Sequence, residues 1–433
     1  NYFEGYHWEE IPNVGEKEYT ENYCRTFVER FVAFELGKAF SITTSKVMGD
    51  KIVTSDNRTL FEYLEDVWED NKMYPLVQEI GQVKSVTGDA WVHPSFTPVG
   101  EDLDDPYNEY PLGRLSIHVL PSQNVIPEYS SIQRDKLTKF TILYVYEREI
   151  AKGFFQKSTL EKVVYKQIWT KDEITTIDGV SEPVTIPNKY GLIPFVQIKN
   201  RLVAGKQQGV SDLEDIIPIN TEFNMKKSNV SEIIDYHSAP VTIVYGAKIG
   251  NLEKGANKIW GGLSKDARVE NLELKGELAA SNSYISSVKT AMCEVGGIPE
   301  GALGATQHIS NTSGVAFQFM NLPLIEKTRL KRQLTESGLE ELNKMIILIS
   351  LIEGLIFKPE DVSNRDFYKT EVSIPDTLPK DSLMTLQELQ QEMRLGFESR
   401  FNAMKRMGKE NIESLIAEID KDKEKNPQGD MFP

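Results

Sequence analysis

The chain has 433 residues, of which 40% are hydrophobic and 26% charged. Such ordinary globular usage excludes wholesale disorder, a collagen-like repeat and a disulfide-dense scaffold, and the length allows several domains. Its 65 acidic residues outnumber 49 basic ones, leaving a formal charge of −16, whereas a protein that grips nucleic acid by its phosphates carries a basic surplus; tight DNA or RNA binding is therefore not expected. Within residues 18–40, Tyr23, Phe27, Val28, Phe31, Phe34 and Leu36 recur mostly at helical spacing. Helical patterns follow over 60–71 and 74–84, with Leu60, Tyr63, Leu64 and Trp68 on one face. The period changes near Gly88, an acidic loop spans 101–106, and 114–177 reads as strands rich in β-branched and aromatic residues. A short strand over 194–198 leads to Asn200.

After Gly209, Ser211 and Glu214 form a capping-box pattern that predicts a helix from 211 to about 236, bent at Pro218. A compact β segment with glycine turns covers 240–274. The next helix, 277–295, places Leu278, Ile285, Val288, Met292 and Val295 at seam-like spacing suited to neighbouring helices. Gly296-Gly297-Ile298-Pro299 ends it, and a mostly polar loop covers 305–312. A long helical pattern over 313–356 contains Pro323, where a kink is expected. A strand-like piece at 370–374 precedes Pro375 and Pro379, and the remainder alternates helical runs with breaks at Gly396 and Gly408.

Single-residue chemistry finds little support. Cys24 and Cys293 stand outside any CxxC pair, so no zinc or redox motif is written, and unpaired thiols suit a reducing compartment. The chain opens Asn1-Tyr2-Phe3-Glu4, unlike a secretory signal, and without a Met it is expected to follow a missing start. The apolar run 345–357 contains Glu353 and is too short to cross a bilayer, so it predicts a buried helix in a soluble protein with no membrane partner. His7, His93, His118, His237 and His308 show no metal-ligand spacing, and no GxSxG elbow occurs. Gly250 and Gly255 have P-loop spacing, but Ala256-Asn257 replace the lysine and hydroxyl that clamp phosphate and magnesium. Asp102, Asp104 and Asp105 lack the EF-hand glycine and distal Glu, and Pro106 occupies a ligand position. The Asn-x-Ser/Thr triplets at Asn57, Asn229 and Asn311 are chance matches. No catalytic residue, cofactor site or metal site is expected.

The order of elements says more than any motif. Asn188-Lys189-Tyr190-Gly191-Leu192-Ile193-Pro194-Phe195-Val196 precedes Asn200, Gly297-Ile298-Pro299 precedes Leu303-Gly304, and Asn311-Thr312-Ser313-Gly314-Val315-Ala316 opens the long helix. Pro379-Lys380-Asp381 is followed by Gly396-Phe397-Glu398-Ser399. Helix, small β module, seam-spaced helix, polar loop and long helix together resemble the portal proteins of tailed bacteriophages, particularly those of long-tailed phages of Gram-positive hosts. The segments follow that family's N-x-x-G-x-IP, GxP…LG, SG-hydrophobic and PxD…GxxS stretches. The resemblance covers roughly residues 188–415.

The resemblance implies an α+β portal architecture: an α/β wing (1–208), a stem of two helices (209–238 and 276–297) around a clip (239–275), and a tunnel-loop region (298–312). A long kinked wing helix with returning strand (313–378) and a mostly helical crown (379–433) complete it. Gln307, His308, Ile309, Ser310, Asn311 and Thr312 would form the DNA-facing loop; Ile285, Val288 and Met292 would make stem and ring contacts; Pro323 would kink the long helix. The family forms a ring, usually of twelve subunits, at one capsid vertex in the virion, assembled in the host cytoplasm. Its partners are double-stranded DNA passing without sequence specificity, the terminase large subunit, the major capsid and scaffold proteins, and a head-completion or adaptor protein. Two other readings stay open: a soluble α/β enzyme using acids from 101–105 or 212–215, or another neck or scaffold component of the virion.

Overall fold

The computed structural model describes residues 1–8, 18–100, 110, 112–133, 136–150, 159–179, 181–238, 242–245, 268–271, 278–304, 319–376, 382–406, 415–416, 419 and 421. It divides into two compact units, Asn1–Gln307 with Asn321–Asp376, and His308–Met320 with Thr377–Pro433.

In the first unit, α1 (Tyr23–Leu36) begins at Asn22, whose side chain accepts from the Arg25 N–H. Its apolar stripe buries Cys24, Phe27, Val28 and Phe31. After β1 (Ser41–Thr44), α2 (Leu60–Asp70) starts with a capping box between Thr59 and Glu62, and α3 (Met73–Thr87) follows within a few residues. These helices carry apolar residues three and four apart and lay them on a sheet. That sheet has the order β3-β2-β9, with β2 (Asp89–Pro98), β3 (Gly113–Pro121) and β9 (Val196–Lys199) all antiparallel. Alternation along β2 sends Ala90 and Val92 into the helical core and Trp91 to the other side.

Trp91 meets a second, five-stranded antiparallel sheet of β4 (Val125–Tyr129), β5 (Leu137–Ile150), β6 (Thr159–Thr170), β7 (Glu173–Ile177) and β8 (Val184–Pro187), in sequence order. Phe140 stacks on Phe195 at 4.1 Å, with Trp169 and Ile174 completing this small core.

Next come α4 (Ile216–Ser238), strands β10 (Thr242–Tyr245) and β11 (Arg268–Asn271) paired antiparallel, and α5 (Leu278–Gly296). The long helix α6 (Leu322–Ile352) then crosses the unit, followed by a short α7 (Asn364–Phe367) and β12 (Thr370–Ser373). β12 pairs with β1, so residues more than 300 positions apart close one two-stranded sheet. Two α6 carboxylates complete its other edge: Val372 N–H donates to Glu340 and Ile374 N–H to Glu336. Trp68 and Tyr63 of α2 donate to Asn343 and Ser350 of α6, so the polar atoms entering this core are paired. In the second unit, α8 (Ser382–Arg394) and α9 (Arg400–Arg406) bury Leu389 and Ala403 respectively, and Gly396 and Ser399 lie between them.

Three expectations change. The helix expected from Ser211 starts at Ile216: Ser211 instead accepts from Leu213 N–H and donates to the Ser85 and Val86 carbonyls. Pro218 consequently lies in the first turn, where its missing N–H costs no hydrogen bond, so it is not a mid-helix bend. Pro323 likewise sits in the first turn of α6 rather than inside it. The acidic loop 101–106 and residues 246–267 of the expected β segment lie outside the described residues.

The first unit is pinned where residues 209–212 cross the turn before β2. Asn200 N–H donates to Gly88 O at 2.9 Å, and Gly209 N–H to Asp89 Oδ1 at 2.9 Å. Gly88 has φ 93°, and a Cβ on either Gly88 or Gly209 would overlap the other's carbonyl oxygen. Gly209→Ala is expected to cost about 3 kcal/mol of stability by overpacking backbone against backbone. Gly301→Ala, where nothing lies within 4 Å of the added carbon, is expected to stay within about 0.5 kcal/mol. Urea midpoints of the two variants check this.

Candidate functional site: a buried charge network where the long helices meet

α4 and α5 pack side by side on α1. Ile285, Val288 and Met292 of α5 are buried among Phe27, Phe31, Ile216 and Phe223. The seam that suggested contacts between subunits is thus filled within one chain, because α1 and α4 already cover it. α5 exposes mostly short polar side chains, including Ala280, Ser283, Ser286, Ser287 and Thr290, together with Tyr284, Glu294 and Val295. Gly296, its last residue, has no room for a Cβ, which would overlap the Phe27 ring. Gln307, His308, Ile309, Ser310, Asn311 and Thr312 lie outside the described residues.

Both α1 and α6 run through two apolar clusters and turn polar in between. α1 gives Val32 to one cluster and Leu36 to the other; α6 gives Leu324 to one and Leu339 onward to the other. Between them lie Glu35 of α1, Lys84 and Ser85 of α3, Asp212 ahead of α4, and Lys327, Lys331 and Thr335 of α6. Glu35, Lys84, Asp212 and Lys331 have side chains at most 1% exposed.

Lys84 forms a short ion pair with Glu35 and donates to Thr335 at 2.7 Å. Thr335 donates to Glu35 at 2.7 Å. Lys331 donates to Asp212 Oδ2 at 2.6 Å and to Ser85 at 3.0 Å, and lies 3.5 Å from Glu35. Lys327 and Arg201 approach the same Asp212 from its other oxygen, at 3.4 and 3.6 Å. Farther out, Arg332 pairs with Asp376 and donates to the Phe34 carbonyl at 3.3 Å.

Burial alone would raise both carboxyls. Lys84 and Lys331 beside Glu35, and Lys331 and Lys327 beside Asp212, instead hold both below their ordinary values of 4.5 and 3.8. Burial pulls Lys327 down to about 8, assisted by Lys331 and Arg201.

This network can hold helices in register, since taking one charge away leaves buried groups around it short of a counter-charge. It offers no acid–base pair: Asp212 is committed to lysines, while Glu214 and Asp215 are exposed. His93 is stacked on Phe195 at 4.4 Å, with Nδ1 on the Pro194 carbonyl, and burial pushes it down to about 4. No group of three metal-ligating side chains occurs among the described residues, and no described helix is long and apolar enough to cross a membrane.

Sequence reasoning passed over Glu35, Lys84, Lys327 and Lys331, and named Asp212 only among the acids of the alternative enzyme reading. A signal was present: Leu324, Thr328, Lys331, Thr335 and Leu339 share one helical stripe, so its polar members fall on a buried face.

A family model described as "Phage portal protein, SPP1 Gp6-like" matches residues 12–429. No curated protein matches the sequence. Among solved structures, one described as "Virion of native gene transfer agent (GTA) particle" is 11% identical over 89% of each chain, with a TM-score of 0.44. "Neck of empty GTA particle computed with C6 symmetry" is 12% identical over 89% of each chain, with a TM-score of 0.47. "Neck of native GTA particle computed with C12 symmetry" is 12% identical over 92% of this chain and 95% of that one, with a TM-score of 0.43.

Lys331→Met is expected to cost about 3–5 kcal/mol, because Asp212 keeps a buried charge without its main partner. Lys344→Met, at an exposed ion pair with Glu341, is expected to cost under about 1 kcal/mol. Ile285→Asp is expected to unfold the protomer core, seen as loss of the cooperative thermal transition, whereas Ser286→Asp keeps it. With pH the sign follows from the lowered carboxyls: around pH 4 the unfolded chain takes up protons that folded Glu35 and Asp212 do not. Their contribution is whole above that range and lost as pH falls through it. Urea midpoints between pH 6 and 3 should fall more steeply for the parent chain than for Asp212→Asn.

Proposed function

The chain belongs to the SPP1 Gp6-like phage portal family, a structural and non-enzymatic family, and from that premise we propose that it closes into a ring of twelve copies around a channel for double-stranded DNA. The ring stands at one vertex of the capsid in the virion, after assembly in the host cytoplasm beside the major capsid and scaffold proteins. The observation that carries this reading is the family match over residues 12–429.

In this reading α4 and α5 are the stem, and the segment between them, with β10 and β11, is the clip. The terminase large subunit docks on the clip during packaging and a head-completion protein replaces it. Residues 1–208 make the outer wing, 313–378 the wing helix with its returning strand, and 379–433 the crown. Residues 298–312 carry the loop that touches DNA.

Two features support a conduit over a clamp. No lysine or arginine of α5 is exposed, and its one exposed charged residue is Glu294, so it offers phosphates no strong partner. The acidic balance of −16 disfavours the counterion release that would anchor a duplex and slow its sliding.

Negative-stain images or native mass of the purified chain are expected to show closed rings. A monomer with hydrolase activity overturns the proposal. Deleting 306–311 is expected to leave rings intact and to reduce the DNA packaged per head; normal packaging refutes the loop's assignment.

A further inference from the structure

Three buried polar side chains step along α4 four residues apart: Asn220, Asn224 and Ser228. Each accepts a backbone N–H from the segment that leads into α1. Cys24 donates to Asn220 Oδ1 at 3.3 Å, Glu21 to Asn224 Oδ1 at 3.0 Å and Tyr19 to Ser228 Oγ at 3.0 Å. Residues 1–8 are tied to the same place. The Phe3 carbonyl accepts from Asn22 Nδ2 and Arg25 Nε, and Arg25 also donates to the Glu4 carbonyl. Main chain held by side chains along a helix is a strap, and water can serve the same side chains once the strap lifts.

His7 closes this strap. Its ring is 2% exposed, its Nε2 is buried with no partner, and its Nδ1 lies 3.4 Å from Asn224 Nδ2. Because Asn224 Oδ1 already holds the Glu21 N–H, the NH₂ of that amide is the end turned to the ring, and Nδ1 can only accept. A protonated ring would set a second N–H against that NH₂. Turning the amide over would give the ring an acceptor and set the NH₂ against the Glu21 N–H instead. One nitrogen holds either a lone pair or a proton, so a charged ring and the Glu21–Asn224–His7 chain exclude each other. Facing the ring are Tyr2, edge-on at 5.1 Å, the Asn1 amino group, Asn22 at the start of α1, and Asn224 of α4. Asn22 is already engaged, its oxygen with the Arg25 N–H and its amide with the Phe3 carbonyl. Glu21 and Lys227 beside the strap pair with each other at 3.6 Å. Burial lowers the ring from its ordinary 6.5, with the Asn1 amino group adding to this and Asn22 opposing it.

We propose that His7 is a proton-operated catch: the neutral ring fastens residues 1–8 and 19–24 to α4, and protonation frees them. A released strap takes up a proton near 6.5 and a seated one does not. Fastening is therefore complete above that value and is lost as pH falls below it. The inference concerns a single protomer and goes beyond the portal reading, since it holds with or without a ring.

Hydrogen exchange of the full chain, followed by mass spectrometry and corrected for the intrinsic pH dependence of exchange, tests it at peptide 18–26. Residues 339–350 of α6 serve as reference. Between pH 7.5 and 5.5 protection at 18–26 is expected to fall by up to about tenfold, the limit for one proton taken up near 6.5, while the reference holds. His7→Asn keeps an acceptor near the place of Nδ1 and takes up no proton, so its protection, whatever its level, should be the same at both pH values. Asn224→Asp keeps an oxygen for the Glu21 N–H and offers the charged ring a carboxylate, so its protection should rise as pH falls. A parent chain whose protection does not fall, a His7→Asn chain that follows the parent, or an Asn224→Asp chain that does not gain protection overturns the proposal. Should Asn224→Asp fail to fold, the comparison of the parent with His7→Asn decides.

Discussion

Four charged side chains with almost no exposure sit between two apolar clusters, and none of them can be left alone there. An isolated buried ion costs several kcal/mol, so each must meet its partner in one geometry. Glu35, Lys84, Asp212 and Lys331 come from α1, α3, the approach to α4, and α6. Satisfying them sets how far each of these segments advances along the others. An apolar layer of the same volume could tolerate slippage by a turn; this layer cannot. The Gly88–Gly209 crossing acts on the same segment through close backbone contact, and together they set where α4 begins.

That junction matters because α4 and α5 leave from it. Lys327 and Lys331 of the long helix reach Asp212 ahead of α4, and Lys327 also donates to Gly296 O at the end of α5. A buried ionic layer suits such a junction. It adds little net stability over well-packed hydrocarbon, yet it makes a wrong register expensive.

Much of the fold is legible in the sequence for local reasons. The helical stripes of α1, α2, α3 and α5 and the β-branched runs of β5 and β6 follow from periodicity, and their bounds shift by few residues. The segments that carry the family resemblance are largely punctuation. Asn188 donates to the Thr170 and Leu192 carbonyls and accepts from Tyr190 N–H. Gly297 and Gly304 take φ of 71° and 97° after a helix and a 3-10 turn, and Ser399 accepts from Asn402 N–H at the start of α9. Such positions signal the order of elements and so the family, although none of them bears chemistry.

The sequence by itself determined the element order, the absence of a recognisable catalytic motif, and the family, because helix stripes, strand alternation and turn residues are encoded within a few neighbouring positions. Only the tertiary structure decided that Ile285, Val288 and Met292 face α1 and α4 within one chain, that Ser41–Thr44 pairs with Thr370–Ser373, and that Asp212 meets Lys331. These are contacts between positions more than a hundred residues apart in the chain, or choices among several apolar faces competing for one stripe. A stripe shows that a face is buried, but the packing of the other elements selects what buries it. For charged residues the gap is wider: a lysine on a buried stripe reads as an error in the pattern until the carboxylate that neutralises it is brought alongside.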